Sequence, residues 1–386
     1  MRSTRGRQAK VVLFLLAVLI YAARVWWMDD GRYVLYDDAL ISFRYAHNLA
    51  NGHGLVFNPG QRVEGYTNFL WVILLAGGMR LGVDVLWLAK AIGIVCGIGV
   101  LLLTLMVSDS LLPGAGNWIV FPSFLLASTA SLPRYALSGM ETLMFSVWLC
   151  LALWLELGVG GLKGGILAAA ALALASLTRP EGVLFFVVFA VARIVERALR
   201  GQRLFVLFRE ELLRLLTFAL IFAPYFAWRY GYYGYLLPNT FYAKAGGLSV
   251  AAVGRGLRYL RNELLILNLP MLLCGLFGLL LPKRRGVLAM LFTVVVYLAY
   301  VVTIGGDDFN VFGPRFLLVI FPWLAIVGLA GLIELAFQHL RAPQFFLMLS
   351  VVVLLVLECG LSAFEMIPYR DAIELNHGWW ATAEWL

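Results

Sequence analysis

The chain has 386 residues, of which 62% are hydrophobic and 13% are charged, and its mean hydropathy is +0.88. Because globular proteins contain about 45–50% apolar and about 25% charged residues, this composition indicates a polytopic helical membrane protein. It excludes a secreted disulfide scaffold, a disordered chain and a nucleic-acid-binding domain. The net charge of +8 lies mostly in short arginine-rich loops, where it sets the topology.

Apolar segments that could cross a bilayer recur along the chain, since a spanning helix needs about 20 apolar residues, or about 17 at the short end. The first ends at the interfacial anchor Trp26-Trp27 and is interpreted as a retained span rather than a signal peptide. The eleven predicted spans are 11–28, 68–84, 87–108, 141–158, 163–178, 181–195, 213–230, 264–281, 287–304, 316–338 and 343–362. The segment 117–133, interrupted by prolines and small polar residues, is predicted to be a re-entrant or half-membrane element rather than a full crossing.

Basic residues orient these spans. The basic N-terminus, the arginine-rich segment 193–214 and Lys283-Arg284-Arg285 should all be cytoplasmic. Eleven spans satisfy these anchors and give a transmembrane unit over 1–362, followed by an extracytoplasmic segment, 363–386. The other extracytoplasmic segments are 29–67, 109–140, 178–182, 231–262 and 305–315. Nearly every unusual polar cluster therefore falls on the outer side.

The first outer loop opens with two adjacent carboxylates, Asp37 and Asp38. A carboxylate at the membrane surface can remove a proton from an acceptor hydroxyl, and such general-base catalysis contributes roughly 10²–10⁴-fold. The alternative is structural, because Asp is favoured at N-caps and the pair could cap an interfacial helix over 39–50.

Two further clusters lie beside predicted spans. Arg134 and Glu141 precede a span and could form an ion pair. Arg179 and Glu181 flank Pro180 in a tight turn, where ionisable side chains cost about 2.5–3.5 kcal/mol on insertion scales and usually mark function. A structural Arg179–Glu181 pair is the alternative there.

The later outer loops combine rings, amides and charges. Arg229 is followed by Asn239, Tyr242 and Lys244, a set in which rings and amides suit a sugar and cations suit phosphate. An aromatic belt would explain the tyrosines alone. A second acidic pair, Asp307-Asp308, precedes the cation Arg315.

The outer face thus offers carboxylates as bases or hydroxyl clamps, and it offers cations that could hold a phosphate leaving group. This combination suits chemistry on a phosphate-bearing lipid, whose developing charge needs cations. No EF-hand spacing, Walker A motif, nucleophile elbow or zinc-ligand spacing occurs in the sequence. No cofactor is therefore expected, although a divalent cation is not excluded.

The same residues resemble a known family. Asp37-Asp38 with Ser42-Phe43-Arg44-Tyr45, the segment 54–60, and Glu64-Gly65-Tyr66-Thr67-Asn68 resemble the opening of polyprenyl-phosphate-dependent glycosyltransferases of the GT-C fold. Within these, the match favours arabinofuranosyltransferases that use decaprenylphosphoryl-arabinofuranose and act on actinobacterial cell-wall glycans or on type IV pilin. Further similar motifs follow in order at 138–142, 178–182, 238–244, 305–307 and Arg315.

The resemblance implies an all-α bundle of 11–13 transmembrane helices with helical outer loops, in a bacterial inner membrane, with its active site facing the periplasm or exterior. It implies a polyprenyl-phosphate-linked sugar donor, a glycan or protein acceptor, and Asp37 as the catalytic carboxylate with Asp38 beside it. The residues expected at the donor phosphate, in part from their charge alone, are Arg179, Lys244, Arg315 and Arg229. Those expected at the sugar or acceptor are Arg44, Glu64, Tyr66, Asn68, Glu141, Glu181, Asn239, Tyr242, Asp307 and Asp308.

Other functions stay open at this point. The donor sugar could be mannose or another hexose. A transporter or flippase of a lipid-linked precursor is a different class, although the sequence shows no internal repeat of the kind that transporters often carry. A non-catalytic scaffold would have no need for five polar clusters on one side. Relatives usually continue into a soluble outer domain, so 363–386 is interpreted as the start of such a tail or the end of a short member.

Overall fold

The computed structural model describes residues 4–29, 36–236, 238–239, 249–279, 286–307 and 313–380. Within these ranges the chain is helical and forms no strand, which confirms the all-α class. The described α-helices are α1 (Thr4–Met28), α2 (Asp37–Ala50), α3 (Phe69–Arg80), α4 (Val85–Leu111), α5 (Phe121–Ser128), α6 (Ser131–Leu137), α7 (Thr142–Trp154), α8 (Gly161–Thr178), α9 (Glu181–Leu199), α10 (Leu204–Tyr233), α11 (Val250–Leu260), α12 (Leu269–Gly278), α13 (Val287–Thr303), α14 (Arg315–Leu318), α15 (Phe321–His339) and α16 (Pro343–Trp380). Single π-helical stretches extend α7 through Val159 and α11 through Leu267.

Several of these helices are long and apolar enough to cross a membrane. Among the described residues, six qualify: Gly6–Met28, Val85–Leu111, Thr142–Val159, Gly161–Thr178, Phe321–Gln338 and Pro343–Phe364. A seventh crossing results if α11 with its π-helical extension and α12, which meet at a bend of 97°, form one span. The multi-pass class is therefore confirmed, whereas the predicted number of eleven is not. Two predicted spans, 68–84 and 287–304, contain the shorter apolar helices α3 and α13.

The segment predicted to be re-entrant is broken into short pieces. A 3₁₀ turn, Gly116–Val120, leads into α5, and Thr129 then adopts an extended conformation before α6. At about 1.5 Å per residue, helices of eight and seven residues are about 12 and 10 Å long, too short to cross a hydrocarbon core of about 30 Å. Every residue of α6 is buried, so this segment carries Arg134 and Tyr135 into the bundle.

Small residues allow the helices to approach closely, as is usual in membrane bundles. A Cβ atom at Gly331 of α15 would overlap the carbonyl group of Phe277 in α12, and one at Gly328 would overlap Cys274. In the same way, Gly93 of α4 faces the backbone of Ala136. This last contact presses α6 against α4 and fixes the position of the polar groups at the end of α6.

The start of α2 differs from the predicted cap. The helix begins at Asp37 rather than at 39, and its N-cap is Tyr36, which has no side-chain cap bond. The Tyr36 N–H donates to the Ser138 carbonyl oxygen at 3.1 Å. Asp37 and Asp38 therefore lie in the first turn, where the helix dipole favours negative charge. The capping alternative is wrong in this respect.

Candidate active site

Asp37 and Asp38 have different surroundings although they are adjacent. The Asp37 side chain is exposed, whereas Asp38 accepts a hydrogen bond from Nη1 of Arg315 at 2.9 Å through Oδ2. The Arg315 guanidinium is almost buried and also binds Asp307, with Nη2 donating to Oδ1 at 3.3 Å and Nε lying 3.1 Å from Oδ2. Arg315 thus links the first outer loop to the 305–315 segment, and Asp37 remains accessible beside that link.

A second buried guanidinium belongs to Arg179. Its Nη2 donates to Glu181 Oε1 at 3.0 Å. This contact is the Arg179–Glu181 pair that the sequence analysis gave as the structural alternative. Its Nη1 also donates to Glu141 Oε1 at 3.3 Å. The side-chain amide of Asn68 donates to the other oxygen of Glu141 at 2.8 Å, and it also donates a hydrogen bond to the Ser42 hydroxyl of α2. Glu141 is therefore bound to Arg179 and Asn68, two residues that the sequence separates widely.

Phe316 brings the two guanidinium groups into one site. The Cζ atoms of Arg179 and Arg315 each lie 5.3 Å from the centroid of its ring, in cation–π distance. The Phe316 backbone is held on both sides: its N–H donates to the Tyr259 hydroxyl at 3.3 Å, and its carbonyl oxygen accepts from Tyr297 at 3.1 Å. Burial of both cations beside this ring makes them parts of the same polar cluster.

Two tyrosines fix the segment that carries Arg315. The Tyr135 hydroxyl donates to the Gly313 carbonyl oxygen at 3.0 Å and lies 3.0 Å from the Tyr36 hydroxyl. Tyr36 precedes Asp37, so one pair of rings connects the start of α2 with the start of α14. Sequence reasoning did not identify Tyr36, Tyr135 or Phe316 as site residues, although Tyr36 and Phe316 directly flank motifs that it did identify.

Glu64 and Arg229 form a separate buried pair. The Arg229 Nε and Nη2 atoms donate to the two Glu64 oxygens at 2.7 and 2.6 Å. Nη1 donates to the Leu236 carbonyl oxygen at 2.8 Å, and the Glu64 carbonyl oxygen accepts from Asn239 N–H at 3.2 Å. Burial raises the pKa of Glu64, and the hydrogen bonds and charge of Arg229 oppose that rise. The structure thus shows Arg229 engaged by Glu64, and its role at a phosphate stays a prediction.

The remaining predicted residues support the loop or lie outside the described ranges. The Tyr66 hydroxyl lies 3.4 Å from the Tyr233 hydroxyl, and Arg44 Nε donates to the Phe57 carbonyl oxygen at 3.2 Å. Both contacts hold the first outer loop in shape. Three predicted site residues fall outside the described residues: Tyr242, Lys244 and Asp308.

The charges of the cluster limit its chemistry. Each of the two central guanidiniums faces two carboxylates, Asp38 and Asp307 for Arg315, and Glu141 and Glu181 for Arg179. A bound phosphate would have to compete with the partly exposed Asp38 for Arg315. Across the described part of the chain, no group of three or more His, Cys, Asp and Glu residues is arranged to hold a metal ion.

Curated proteins resemble this chain over most of its length. It is 28% identical over 395 aligned residues to the terminal β-(1→2)-arabinofuranosyltransferase of Corynebacterium glutamicum, covering 87% of this chain and 54% of that protein. It is 30% identical over 291 residues to the enzyme of the same name from Mycobacterium tuberculosis, covering 70% and 44%. The chain spans about half the length of these relatives. No family model matches the sequence.

Solved structures show the same fold at low identity. ArnT from Cupriavidus metallidurans, bound to undecaprenyl phosphate, superposes with a TM-score of 0.62 at 15% identity, covering 96% of this chain and 74% of that one. The oligosaccharyltransferase AglB from Archaeoglobus fulgidus, in complex with an inhibitory peptide and a dolichol-phosphate, also gives 0.62 at 12% identity, covering 97% and 56%. These similarities confirm the GT-C architecture that the sequence motifs implied.

Proposed function

We propose that this chain, which resembles terminal arabinofuranosyltransferases and has the GT-C fold, is an integral-membrane glycosyltransferase. It transfers a sugar from a polyprenyl-phosphate donor to an acceptor outside the cytoplasm. The sugar that we propose is arabinofuranose, because both curated relatives are named for its transfer. The acceptor is a cell-envelope glycan or a pilin protein.

One observation carries the proposal. The exposed carboxylate Asp37 lies directly beside Asp38, whose partner Arg315 shares the Phe316 ring with Arg179. A proton acceptor and two cations are therefore gathered at one place, although 277 residues separate Asp38 from Arg315. Glycosyl transfer from a phosphate needs both kinds of group, one for the acceptor hydroxyl and one for the leaving phosphate.

The titles of the structural neighbours support a lipid-linked donor. One neighbour was solved with undecaprenyl phosphate, and the other with a dolichol-phosphate and a peptide. A lipid of this class fits a bundle that combines several apolar helices with a cluster of charged side chains. We extend this donor class to the present chain, in a bacterial inner membrane with the site facing outward. The segment 1–362 forms the catalytic bundle, and the proposed transfer requires no cofactor.

These residues have different roles in the proposed reaction. The acceptor oxygen forms a bond to the anomeric carbon as the bond from that carbon to the phosphate oxygen breaks. Asp37 takes the proton of the acceptor hydroxyl, while Arg315 and Arg179, with Lys244, hold the charge that grows on the leaving phosphate. Because Asp38 neutralises part of Arg315, donor binding replaces that contact with one to phosphate.

Turnover of a defined donor tests the proposal. The purified chain in detergent should transfer arabinofuranose from a synthetic short-chain polyprenyl-phosphoryl arabinofuranose to an oligosaccharide or pilin peptide, and the Asp37→Asn variant should not. Transfer from the mannose-bearing analogue alone would change the assigned sugar. The absence of transfer from every lipid-phosphate sugar, by a folded protein, would overturn the assignment as a glycosyltransferase. Mass spectrometry of glycans and pilins from a deletion strain identifies the acceptor.

A further inference from the structure

The far end of α9 contains a second charged region that the proposed reaction does not use. Glu181 begins this helix in the candidate active site, and Arg193 lies twelve residues further along, about 18 Å away at 1.5 Å per residue. Around Arg193 is a cavity of about 270 Å³ that lies between α9, the π-helical end of α7 and the start of α13. The sequence predicts that this end of the bundle is cytoplasmic.

Ion pairs with buried carboxylates form one wall of this cavity. Glu156 accepts hydrogen bonds from Arg193 at 3.2 Å and from Arg214 at 2.9 Å. Glu196 accepts from the Gly286 N–H at 2.9 Å and forms an ion pair with Arg200 at 2.9 Å. The carboxylate side chains of Glu156 and Glu196 are only 10% and 8% exposed, so the wall holds its negative charges away from the opening.

Two of the three arginines in the lining are more exposed than its two carboxylates. The side chains of Arg197 and Arg200 are 21% and 42% exposed, and Gln202 is exposed beside them. The lining residues include three arginines and two glutamates, a balance of +1. Two exposed arginines, Arg203 and Arg209, add to the positive charge of this end. Arg197 is paired with Glu210, whose side chain is 19% exposed, so the most accessible charge of the lining is the guanidinium of Arg200, which favours an anion.

The surroundings of the cavity are apolar. Leu157, Phe189 and Ala289 complete its lining. Next to it, at the junction of α9 and α10, the large side chains of Leu199, Phe205 and Phe208 are 76%, 79% and 71% exposed. Exposed apolar side chains interspersed with arginines are typical of a segment that lies at the membrane interface. The ligand that fits such a place has an anionic head and apolar tails.

We propose that this cavity binds the phosphodiester headgroup of an anionic glycerophospholipid from the adjacent leaflet. Arg197 and Arg200 contact the phosphate oxygens, and the acyl chains lie along the apolar side chains near Phe205. Basic pockets between membrane helices on the cytoplasmic side are known to recognise anionic headgroups through the same charges. The site is separate from the glycosyl-transfer chemistry, so it stands whether or not the proposed activity is confirmed.

Native mass spectrometry of the purified full chain tests the site, with short-chain phosphatidylglycerol as the probe and short-chain phosphatidylcholine and inorganic phosphate as comparisons. We expect saturable binding of phosphatidylglycerol and weaker binding of both comparisons. In the double variant Arg197→Gln/Arg200→Gln, affinity should fall by at least about tenfold, since each basic residue near a lipid surface contributes about 1 kcal/mol. The matched control, Arg203→Gln/Arg209→Gln, removes the same number of charges outside the lining and should lower affinity much less, because these side chains do not line the cavity that holds the headgroup.

Three results would overturn the proposal. Equal loss in the two double variants would make the attraction a general effect of charge rather than of this cavity. Equal binding of phosphatidylcholine would remove the requirement for an anionic head. Displacement of the lipid by inorganic phosphate at the same concentration would assign the cavity to a soluble anion. Melting curves check the fold, and Arg200→Gln alone, which leaves the Arg197–Glu210 ion pair intact, replaces the double variant if that variant unfolds.

Discussion

Arg315 lies 2.9 Å from the Asp38 carboxylate across 277 residues of sequence, and this contact joins the beginning of the chain to its last third. Because the Asp38 side chain is 41% exposed whereas that of Arg315 is 10% exposed, the contact can be exchanged on its solvent side. Asp307 holds the other side of the guanidinium, in the buried interior. A ligand phosphate would therefore approach Arg315 from the side of Asp38.

The Asp37→Asn variant should remain folded and lose turnover by at least roughly 10²-fold, since it removes the general base without changing side-chain size. The exposed position of Asp37 makes a large loss of stability unexpected. Single-turnover rates with the lipid-phosphate donor, beside melting curves, measure both effects. Near-normal rates in the purified variant would remove Asp37 from the catalytic role.

The Asp38→Asn variant should bind the donor phosphate more tightly and turn it over more slowly. The amide no longer neutralises Arg315, and a partly exposed ion pair contributes about 0.2–1 kcal/mol, so the dissociation constant should fall by up to about fivefold. Titration with a non-reactive polyprenyl phosphate measures this affinity. Weaker binding in the variant would mean that Asp38 itself contacts the donor rather than competing with it.

The Arg179→Ala variant should lower the free energy of unfolding by about 3–5 kcal/mol, because it leaves two carboxylates, Glu141 and Glu181, buried without their cation. Arg203→Ala, which removes an exposed arginine at the other end of the bundle, is the control and should have little effect. The free energy of unfolding is measured for both variants, and donor binding is measured on the protein that remains folded. Normal donor binding by folded Arg179→Ala would make this residue structural and not a phosphate ligand.

The Glu64→Gln variant should loosen the first outer loop, because it leaves the buried Arg229 without its charged partner. We expect a loss of about 3–5 kcal/mol in the free energy of unfolding, or local opening detected by hydrogen exchange over 54–66. Arg62→Gln serves as the control on the same loop, since its guanidinium only stacks on Tyr232, at 4.7 Å, and should contribute about 0.5–1 kcal/mol. Similar losses in both variants would contradict a special role for the buried pair.

Membrane topology has its own test. Single cysteines placed in 29–67, 231–262 or 305–315 should react with impermeant reagents from outside, in a background that lacks the four native cysteines. Cysteines in 196–212 should react only after the membrane is permeabilised. Labelling of 196–212 from outside would reverse the orientation and would move the candidate active site to the cytoplasmic face.

Much of the fold could be predicted because hydrophobicity acts locally along the chain. In the described part of the chain, the six helices that are long and apolar enough to cross a membrane all overlap predicted spans, and their apolar lengths are readable from composition alone. The number of crossings was less predictable. Short helices such as α3 and α13 cross or stop according to what they pack against. The bend of 97° before α12 was not predicted, although Asn268 at the N-cap and Pro270 in the first turn of α12 are local signals for a helix start.

The sequence by itself determined the membrane class, the order of the motifs and the chemical types of the site residues, because apolar length and motif spacing are properties of neighbouring residues. Only the tertiary structure decided the partners. In the folded chain Glu141 binds Arg179, and Glu64 binds Arg229. Asp38 binds Arg315, whereas the adjacent Asp37 is exposed. Each buried charge takes the oppositely charged group that helix packing brings within reach, and that packing depends on contacts among residues far apart in the sequence.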